Sequence, residues 1–418
     1  MFSLLNIRVG FYLAVRQLRR ASLWTTGLIV FVMLLTFLNL VVVTGVLVGL
    51  IEGINESYRT QYTGDVILSA LSTKEYIEDT PSVVAFLKTL PQVDLLTERY
   101  QTGGTIEANY LSRTSDKEKP NATSAQIIGI DPVDEDAFTR LKERVIEGQY
   151  LTEADYDQIL VGNYLLAQYA FGELPGLTPL KNVYPGTKVR ITVNGATREV
   201  IVKGFVKTKI DALAMSIFMP AAELRTLMGR ADQNVAQIAV RLKEGGDPVA
   251  FKKLLLDSGI GEKAKVQTFA DSIPNGVEDI KKTFAMLGDG FSSIGLVVAA
   301  ITIFIVIFIN AITRRKFIGI LKGIGISGET IEISYIFQSL FYAVIGSALG
   351  VLILYGFLVP ALAAHPIDFP FSDGILVAPV DGTAVRIALL VFTTVIAGYL
   401  PSRMIVRRNT LDSILGRN

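Results

Sequence analysis

Long apolar stretches are spaced unevenly along the chain: one lies near the N-terminus, a long polar segment follows, and three more come close together. Residues 21–51, 291–313 and 333–360 contain no charged side chain. A helix needs about 20 apolar residues to cross a hydrocarbon core about 30 Å thick, so each stretch predicts a spanning helix. The fourth stretch lies between Arg386 and Arg403, whose side chains can extend to the two interfaces. The pattern predicts four transmembrane α-helices, arranged one plus three, with a large mixed α+β extracytoplasmic domain between the first and second.

Three groups of basic residues flank these stretches, and all three lie on the same side of the membrane only if the chain crosses it four times. They are Arg8, Arg16, Arg19 and Arg20 before the first span, Arg314, Arg315, Lys316 and Lys322 after the second, and Arg403, Arg407, Arg408 and Arg417 after the fourth. Loops rich in Lys and Arg stay in the cytoplasm, so both termini are predicted to be cytoplasmic. A cleaved signal peptide is the alternative for the first stretch, but that stretch is too long and no small-residue cleavage pattern follows it.

The hydropathy and charge pattern divides the chain into nine segments. They are a cytoplasmic amphipathic helix (1–20), the first span (21–51), the extracytoplasmic domain (52–282), a stalk with the second span (283–313), a basic cytoplasmic loop (314–330), the third span (331–360), an outer loop (361–382), the fourth span (383–403) and a cytoplasmic tail (404–418).

The extracytoplasmic segment has the local signals of a mixed α and β domain. Residues 64–69, 126–130 and 237–242 are rich in Val and Ile and bounded by turn residues, as strands are. Residues 188–206 form two such runs around Asn194-Gly195, a dipeptide suited to a type I′ hairpin turn. Helical spacing of apolar residues predicts helices at 82–90, 221–228 and 248–258. We expect two subdomains, which fold without disulfides because the chain has no cysteine.

Catalytic and metal-binding signals are weak. The single histidine, His365, precedes Pro366 at the end of the third span, where an exposed loop position is expected. The acidic run Asp131, Asp134, Glu135 and Asp136 does not have the spacing of an EF-hand, and Asp131-Pro132 is typical of a turn that begins a solvated helix. We therefore predict no catalytic residue and no metal site. The chain also has no basic stripe that would indicate nucleic-acid binding.

The loop after the second span contains a misleading glycine pattern. Gly323, Gly325 and Gly328 spell GxGxxG, but Glu329 stands where a phosphate loop has Lys, and the segment follows a membrane helix instead of a strand. Nucleotide or other cofactor binding by this chain is therefore not expected. Residues 314–327 (RRKFIGILKGIGIS) instead alternate basic and apolar side chains, which predicts a short amphipathic helix ended by glycines. Such a helix lies in the membrane interface or docks into a cytosolic protein.

This loop resembles the one that joins the second and third spans of FtsX-like permeases of ABC transporters. The matching positions are Arg314, Arg315, Ile318, Gly319, Ile320, Leu321, Lys322, Gly325 and Ser327. Residues 14–20 (AVRQLRR) and 401–415 (PSRMIVRRNTLDSIL) resemble the family's two ends. Residues 127–132, 145–151, 159–162, 185–193 and 202–205 recur in order in its MacB-type periplasmic domain. Phe317 stands where the family often has Glu, and Thr410 replaces a Pro of the terminal element. The opening of the outer segment is more similar to the lipoprotein-release (LolC/LolE) branch than to macrolide efflux.

The resemblance implies a permease subunit without catalysis of its own. Two permease subunits, identical or different, would pair in the bacterial inner membrane, and a separate ABC ATPase would bind ATP and Mg²⁺. The ATPase would dock on Arg314, Arg315, Lys316, Ile318, Gly319, Ile320, Leu321, Lys322 and Gly325. ATP-driven closure would then move the outer domain by mechanotransmission to export or release a lipoprotein, lipid, peptide or drug, helped by a periplasmic adaptor or lipoprotein. The alternative within the family is a regulator that activates a cell-wall hydrolase, which usually has a smaller outer domain.

Small and polar residues within the spans predict helix contacts. Gly45, Gly49, Gly346 and Gly350 allow close approach of helices, either within one subunit or between two. Asn39, Asn310 and Gln338 are expected to form interhelical hydrogen bonds more often than to line a substrate path.

Overall fold

The structure is a computed structural model that describes residues 4–112, 119–169, 178–273, 275–365, 367–369, 372–374 and 376–407. The chain divides into two compact units. We call them the membrane unit (Met1–Ile51, Asp279–Ile367 and Gly374–Asn418) and the outer domain (Glu52–Glu278 and Asp368–Asp373). The predicted Pro366, Arg408, Thr410 and Arg417, and most of the predicted tail, lie outside the described residues.

The α-helices are numbered in chain order. They are α1 (Leu4–Arg19), α2 (Leu23–Leu38), α3 (Thr44–Tyr58), α4 (Thr80–Thr89), α5 (Pro132–Thr139), α6 (Asp211–Ala214), α7 (Ala221–Leu227), α8 (Pro248–Asp257), α9 (Phe269–Ser272), α10 (Asn275–Thr313), α11 (Arg315–Gly323), α12 (Gly328–Ile353), α13 (Val359–Ala364) and α14 (Val380–Val406). Three π-helical turns continue α2, α3 and α12, at Asn39–Val43, Arg59–Thr63 and Leu354–Leu358.

The strands are also numbered in chain order. They are β1 (Val66–Ser69), β2 (Val93–Ala108), β3 (Asn121–Ile130), β4 (Val145–Gly148), β5 (Gln158–Gly162), β6 (Lys188–Val193), β7 (Ala196–Val206), β8 (Ser216–Pro220), β9 (Gln237–Leu242), β10 (Lys265–Thr268), β11 (Ile367–Phe369) and β12 (Ser372–Gly374).

Four helical stretches are long and apolar enough to cross a membrane: Leu23–Thr63, Lys282–Thr313, Gly328–Ala364 and Val380–Val406. They confirm the predicted one-plus-three arrangement around an α+β domain. The first stretch runs well past residue 51, where its uncharged sequence ends, because the helix continues through α3 into the π-helical turn Arg59–Thr63. Many large apolar side chains on these helices are exposed, as expected where the surrounding solvent is lipid.

The outer domain is built on one ten-stranded sheet. The strand order is β10-β1-β9-β2-β3-β8-β5-β7-β4, and β6 pairs with both β2 and β7. The pairs β3–β8 and β5–β7 are parallel, whereas β2–β3 and the β6–β7 hairpin are antiparallel. The predicted strands and helices of this domain are present, and Asn194 and Gly195 both have positive φ, 49° and 82°, as a type I′ turn requires.

The outer domain is one of the two compact units of the chain, and its predicted division into two subdomains stays a prediction. Its sheet depends on the long strand β2, which the sequence analysis missed. Its 16 residues pair with β9 through Val93–Arg99 and with β3 through Arg99–Ala108, so a single strand joins the two ends of the sheet. Gly104 lies at the crowded crossing, where an added Cβ would stand 2.5 Å from Ile127 Cδ1. Glycine is therefore required where β6 also reaches β2.

A buried ion pair lies beneath this sheet. Arg99 and Glu135 are both almost completely buried, and Arg99 Nε and Nη2 donate to the two Glu135 oxygens at 2.9 and 2.7 Å. Arg99 Nη1 also donates to the main-chain oxygen of Tyr62 at 2.5 Å. The interpretation of the acidic run is thus corrected in part. Asp131 caps α5 as predicted, accepting from Val133 N at 2.9 Å, but Glu135 belongs to the core and is not solvated.

Candidate functional site

The candidate site is α11 with the turn that follows it, between α10 and α12. A single residue, Arg314, separates the two helices; its φ and ψ of −101° and 13° end α10, and its main-chain oxygen accepts from Ile318 N at 3.0 Å. The predicted amphipathic helix is therefore present, at Arg315–Gly323.

One face of α11 is anchored in the membrane unit. Ile318 and Leu321 are only 3% and 7% exposed and belong to the same apolar cluster as Ile331 and Val406. Gly319 is buried between them in sequence. Lys322 Nζ donates to the main-chain oxygen of Val406, the last residue of α14. A cation at a helix C-terminus is favoured by the unpaired carbonyls there, so Lys322 ties α11 to α14.

The opposite face of α11 exposes an apolar row. Phe317, Ile320 and Ile324 are 46%, 53% and 71% exposed. Their spacing of three and four residues places them on one side of the helix. Lys316 is exposed beside them, and Arg314 and Arg315 are half-buried at the start of the helix. The predicted coupling residues therefore divide into an anchoring set and an exposed set; their role in coupling stays a prediction.

The glycine-rich turn is a pair of helix caps. Gly325 has φ +95°, Gly325 N donates to Lys322 O at 3.0 Å, and Ile326 N donates to Leu321 O at 3.0 Å. These bonds form a Schellman motif, which ends α11 and for which glycine is the preferred residue. Ser327 then caps α12, its Oγ accepting from Thr330 N at 3.3 Å. The GxGxxG spacing is thus accounted for by helix termini.

The predicted packing glycines lie within the membrane unit. A Cβ added to Gly346 would stand 2.5 Å from Met33 Cβ, and one added to Gly350 would stand 2.2 Å from Phe37 Cδ1. A Cβ on Gly45 would approach Leu376 Cδ1 at 2.7 Å. These three glycines therefore contact elements of the same chain.

Polar residues also join the helices. Gln338 Nε2 donates to Gln17 Oε1 at 2.6 Å. This is an interhelical hydrogen bond between α12 and α1, as expected for Gln338. Asn39 faces Gly295 of α10, whose added Cβ would stand 2.9 Å from Asn39 Oδ1. Thr44 Oγ1 lies 2.9 Å from Ser292 Oγ, a contact that the sequence analysis missed.

The bracing of α12 by α1 was also missed. Gly10 packs so closely on α12 that its Cβ would stand 2.7 Å from Ile333 Cγ2, and the rings of Phe11 and Phe337 meet edge to face at 5.3 Å. The small residues Gly10 and Ala14 on one face of α1 were the available signal, since both are buried. Helix α1 therefore holds the first turns of α12, which follow directly on the candidate site.

Within the described ranges, no group of three His, Cys, Asp or Glu side chains is placed to hold a metal ion. His365 is exposed at the C-terminal end of α13, as predicted. Outside the membrane spans, burial and, less strongly, the neighbouring Asp131 raise the pKa of Asp134 above its ordinary value.

A four-helix membrane unit with a large α+β domain inserted after its first span defines the class of this protein. The family model described as FtsX-like permease C-terminal matches residues 290–410. The model described as MacB-like periplasmic core domain matches residues 26–257, more than half of the chain. The chain belongs to the FtsX/MacB-type family of ABC transporter permeases.

Individual relatives are distant. A probable export ATP-binding/permease protein of Pseudomonas fluorescens is 24% identical over 62% of this chain and 38% of its own length. An ABC transporter permease of Methanocaldococcus jannaschii, MJ1507, is 29% identical over 43% of this chain and 45% of its own. The crystal structure of the periplasmic region of MacB from Actinobacillus actinomycetemcomitans is 17% identical over 56% of this chain and 97% of that one, with a TM-score of 0.34. The chain thus spans less than half the length of these two curated relatives.

Proposed function

We propose that this permease subunit receives motion from a separate ABC ATPase through α11 and transmits it to the outer domain, for export or release of a lipoprotein, lipid, peptide or drug. The observation that carries the proposal is the exposed apolar row Phe317, Ile320 and Ile324 on a helix whose other face is anchored. The assignment of ATP and Mg²⁺ binding to a different chain rests on the M. jannaschii relative, which is named as a permease; the P. fluorescens relative is named as an ATP-binding/permease protein.

The geometry of α11 suits a docking element. An exposed apolar row flanked by Lys316 presents side chains that a groove on a partner can bury, which is how amphipathic helices are recognised. The anchoring contacts of Ile318, Leu321 and Lys322 mean that a force on the exposed row is not absorbed by rotation of α11. The four basic residues of the loop, at 314–316 and 322, favour the cytoplasmic side, so we place both termini there and the outer domain in the periplasm.

Long helices on each side of α11 provide the transmission path. Helix α10 has 39 residues, which at 1.5 Å per residue corresponds to about 58 Å, nearly twice the hydrocarbon thickness. Four residues separate the end of α11 from the start of α12, and they contain the Schellman motif at Gly325 and the Ser327 cap. A second permease subunit, identical or different, would complete the assembly. The P. fluorescens relative is named as an export protein, which supports transport over the regulator function.

The test is co-purification of the tagged chain from its native membrane in mild detergent, with mass spectrometry and an ATPase assay of the eluate. Ile320→Glu puts a charge in the centre of the exposed row, so retained ATPase should fall at least about tenfold, as for a central interface residue. The matched control is Ile146→Glu, the same change at a residue 40% exposed in the outer domain, which should retain the ATPase.

Equal ATPase recovery from the Ile320→Glu and wild-type chains, at equal membrane levels, would remove α11 as the docking element. An eluate that holds an ATPase with an adaptor, lipoprotein or lipid supports transport. An ATPase recovered with a cell-wall hydrolase would replace transport by regulation.

A further inference from the structure

Helix α1 presents one side to α12 and leaves the other side exposed. Its buried residues are Gly10, Leu13, Ala14 and Gln17, and at about 100° per residue they lie on one side of the helix. Gly10 and Gln17 contact α12 on this side. Both helices belong to the membrane unit. The opposite side of α1 therefore faces away from α12.

Arginine side chains occupy the centre of this opposite side. Arg8, Tyr12 and Arg19 are exposed, and their spacings of four and seven residues place them on one line along the helix. Arg16 is exposed beside this line. We call these four residues the basic face of α1. It presents three guanidinium groups around one phenol ring.

The basic face belongs to a segment without acidic residues, because residues 1–51 contain no Asp or Glu. A carboxylate from α12 does approach α1: Glu329 Oε2 accepts from Asn6 Nδ2 at 3.4 Å. Asn6 lies one helical turn before Gly10, so this contact is on the side that meets α12. The positive charge of the basic face is therefore not balanced within its own segment.

An apolar line runs beside the basic face. Leu4 and Phe11 are 81% and 55% exposed and lie seven residues apart, on one side of the helix. Leu23 and Trp24 are 88% and 89% exposed at the start of Leu23–Thr63, the first candidate membrane span, which begins a few residues after α1 ends. A helix with basic and apolar residues side by side, next to a span, suits the membrane interface.

We propose that the basic face of α1 binds the headgroups of anionic phospholipids, with Leu4 and Phe11 inserted among the acyl chains. Guanidinium groups form charge-assisted hydrogen bonds with phosphate oxygens, and basic residues at the membrane surface attract anionic lipids. Tyr12 has the amphipathic ring that is enriched at this level of the bilayer. An acidic protein surface would match the arginines, but it would not account for exposed apolar residues continuous with a span.

The experiment uses Trp24, the single tryptophan of the chain, as a local reporter. It follows Arg19 closely enough that their Cα atoms are at most about 18 Å apart. The full chain is reconstituted in phosphatidylcholine bilayers that contain equal mole fractions of brominated phosphatidylglycerol or of brominated phosphatidylcholine, which quench tryptophan fluorescence. Brominated phosphatidylglycerol should quench the wild type more strongly, and its excess quenching should decrease as salt is added, because salt screens exposed charges.

Arg19→Gln should lower the preference for phosphatidylglycerol by up to about fivefold, the attraction that one basic residue contributes at an anionic surface. The double variant Arg8→Gln/Arg19→Gln should lower it further. The matched control is Arg386→Gln, which removes the same charge from α14. The first residue of α12, Gly328, packs on Val406, and Arg386 lies about 30 Å from Val406 along α14. The control should therefore keep the wild-type preference.

Equal quenching of the wild type by the two brominated lipids would overturn the proposal. An equal loss of preference in Arg19→Gln and Arg386→Gln, at unchanged helix content, would also overturn it, because the preference would then not belong to α1. The measurement involves no ATPase, so its outcome is independent of the proposed coupling through α11.

Discussion

The outer domain and the membrane unit differ in which polar, apolar and small residues they bury. In the outer domain the ion pair of Arg99 and Glu135 is fully buried, and large apolar side chains fill the core. In the membrane unit the helices expose Phe392 and Leu352 and bury Gly346 and Gly350 instead. Lipid is as apolar as a leucine side chain, so apolar burial gives helices little reason to associate, whereas close approach at glycine does. The stability of the outer domain should therefore depend most on the buried ion pair, and that of the membrane unit on glycines, whose lack of a Cβ lets helices approach closely.

The largest effect is expected from Glu135→Ala. It leaves the buried Arg99 guanidinium without its carboxylate, which should lower the free energy of unfolding of the outer domain by about 3–5 kcal/mol. Denaturant unfolding, monitored by amide hydrogen exchange in β2, measures this loss of free energy. Glu143→Ala, at an exposed residue of the next turn, should change it by less than about 0.5 kcal/mol. Equal losses in the two variants would contradict a special role for the pair.

The membrane unit should respond most to added volume. Gly350→Val places a branched side chain where even a Cβ would stand 2.2 Å from Phe37 Cδ1, so α2 or α12 must shift. We expect a loss of about 1–3 kcal/mol, measured by detergent titration of helix content. Gly356→Val is the control, because beyond its chain neighbours and the backbone of its own helix no atom lies within 4 Å of its added Cβ. If both variants lose the same stability, helix propensity and not packing is responsible.

A smaller, pH-dependent effect is expected at Asp271. Hydrogen bonds from Lys252 and then from Thr268 lower the pKa of Asp271 from 3.8 to about 2. A carboxyl whose pKa is depressed in the folded state stabilises above its unfolded pKa, and the contribution is lost as the pH falls from 3.8 towards 2. Asp271→Asn weakens the hydrogen bonds of the capping box that Asp271 forms with Thr268, which should cost about 1 kcal/mol at pH 6.

The difference between wild type and Asp271→Asn should be smaller at pH 3 than at pH 6, as measured by denaturant unfolding at both values. A difference that grows on acidification would show that the carboxylate does not stabilise α9.

The smallest effect is expected at the interhelical hydrogen bond between Gln17 and Gln338. A double-mutant cycle with Gln17→Leu and Gln338→Leu should give a coupling energy of about 0.6 kcal/mol, because interhelical bonds in membranes are weak on average. A value above 3 kcal/mol would make this pair equal to Arg99–Glu135 and would remove the contrast between the two units.

Sequence alone predicted those features that are local. Uninterrupted apolar runs predicted the spans, Asn194-Gly195 predicted the hairpin turn, and the alternation in residues 314–327 predicted α11. The contacts of these elements were not predictable in the same way. Arg99 and Glu135 are paired only because β2 and α5 meet in the fold, and Lys322 reaches the end of α14 across 84 residues. A sequence pattern shows that a helix has two faces, but the fold decides which of Ile318 and Ile320 is buried.

The π-helical turn Asn39–Val43 makes the rotation of the first membrane helix as important as its length. Such a turn is equivalent to one surplus residue, and each residue of an α-helix advances it by about 100°. Met33 and Phe37 meet α12 before the turn, and Gly45 meets Leu376 after it. The two contact faces therefore belong to different helical phases. Removal of one residue between them would leave the helix long enough to cross the bilayer but with one of its faces turned away from its neighbour.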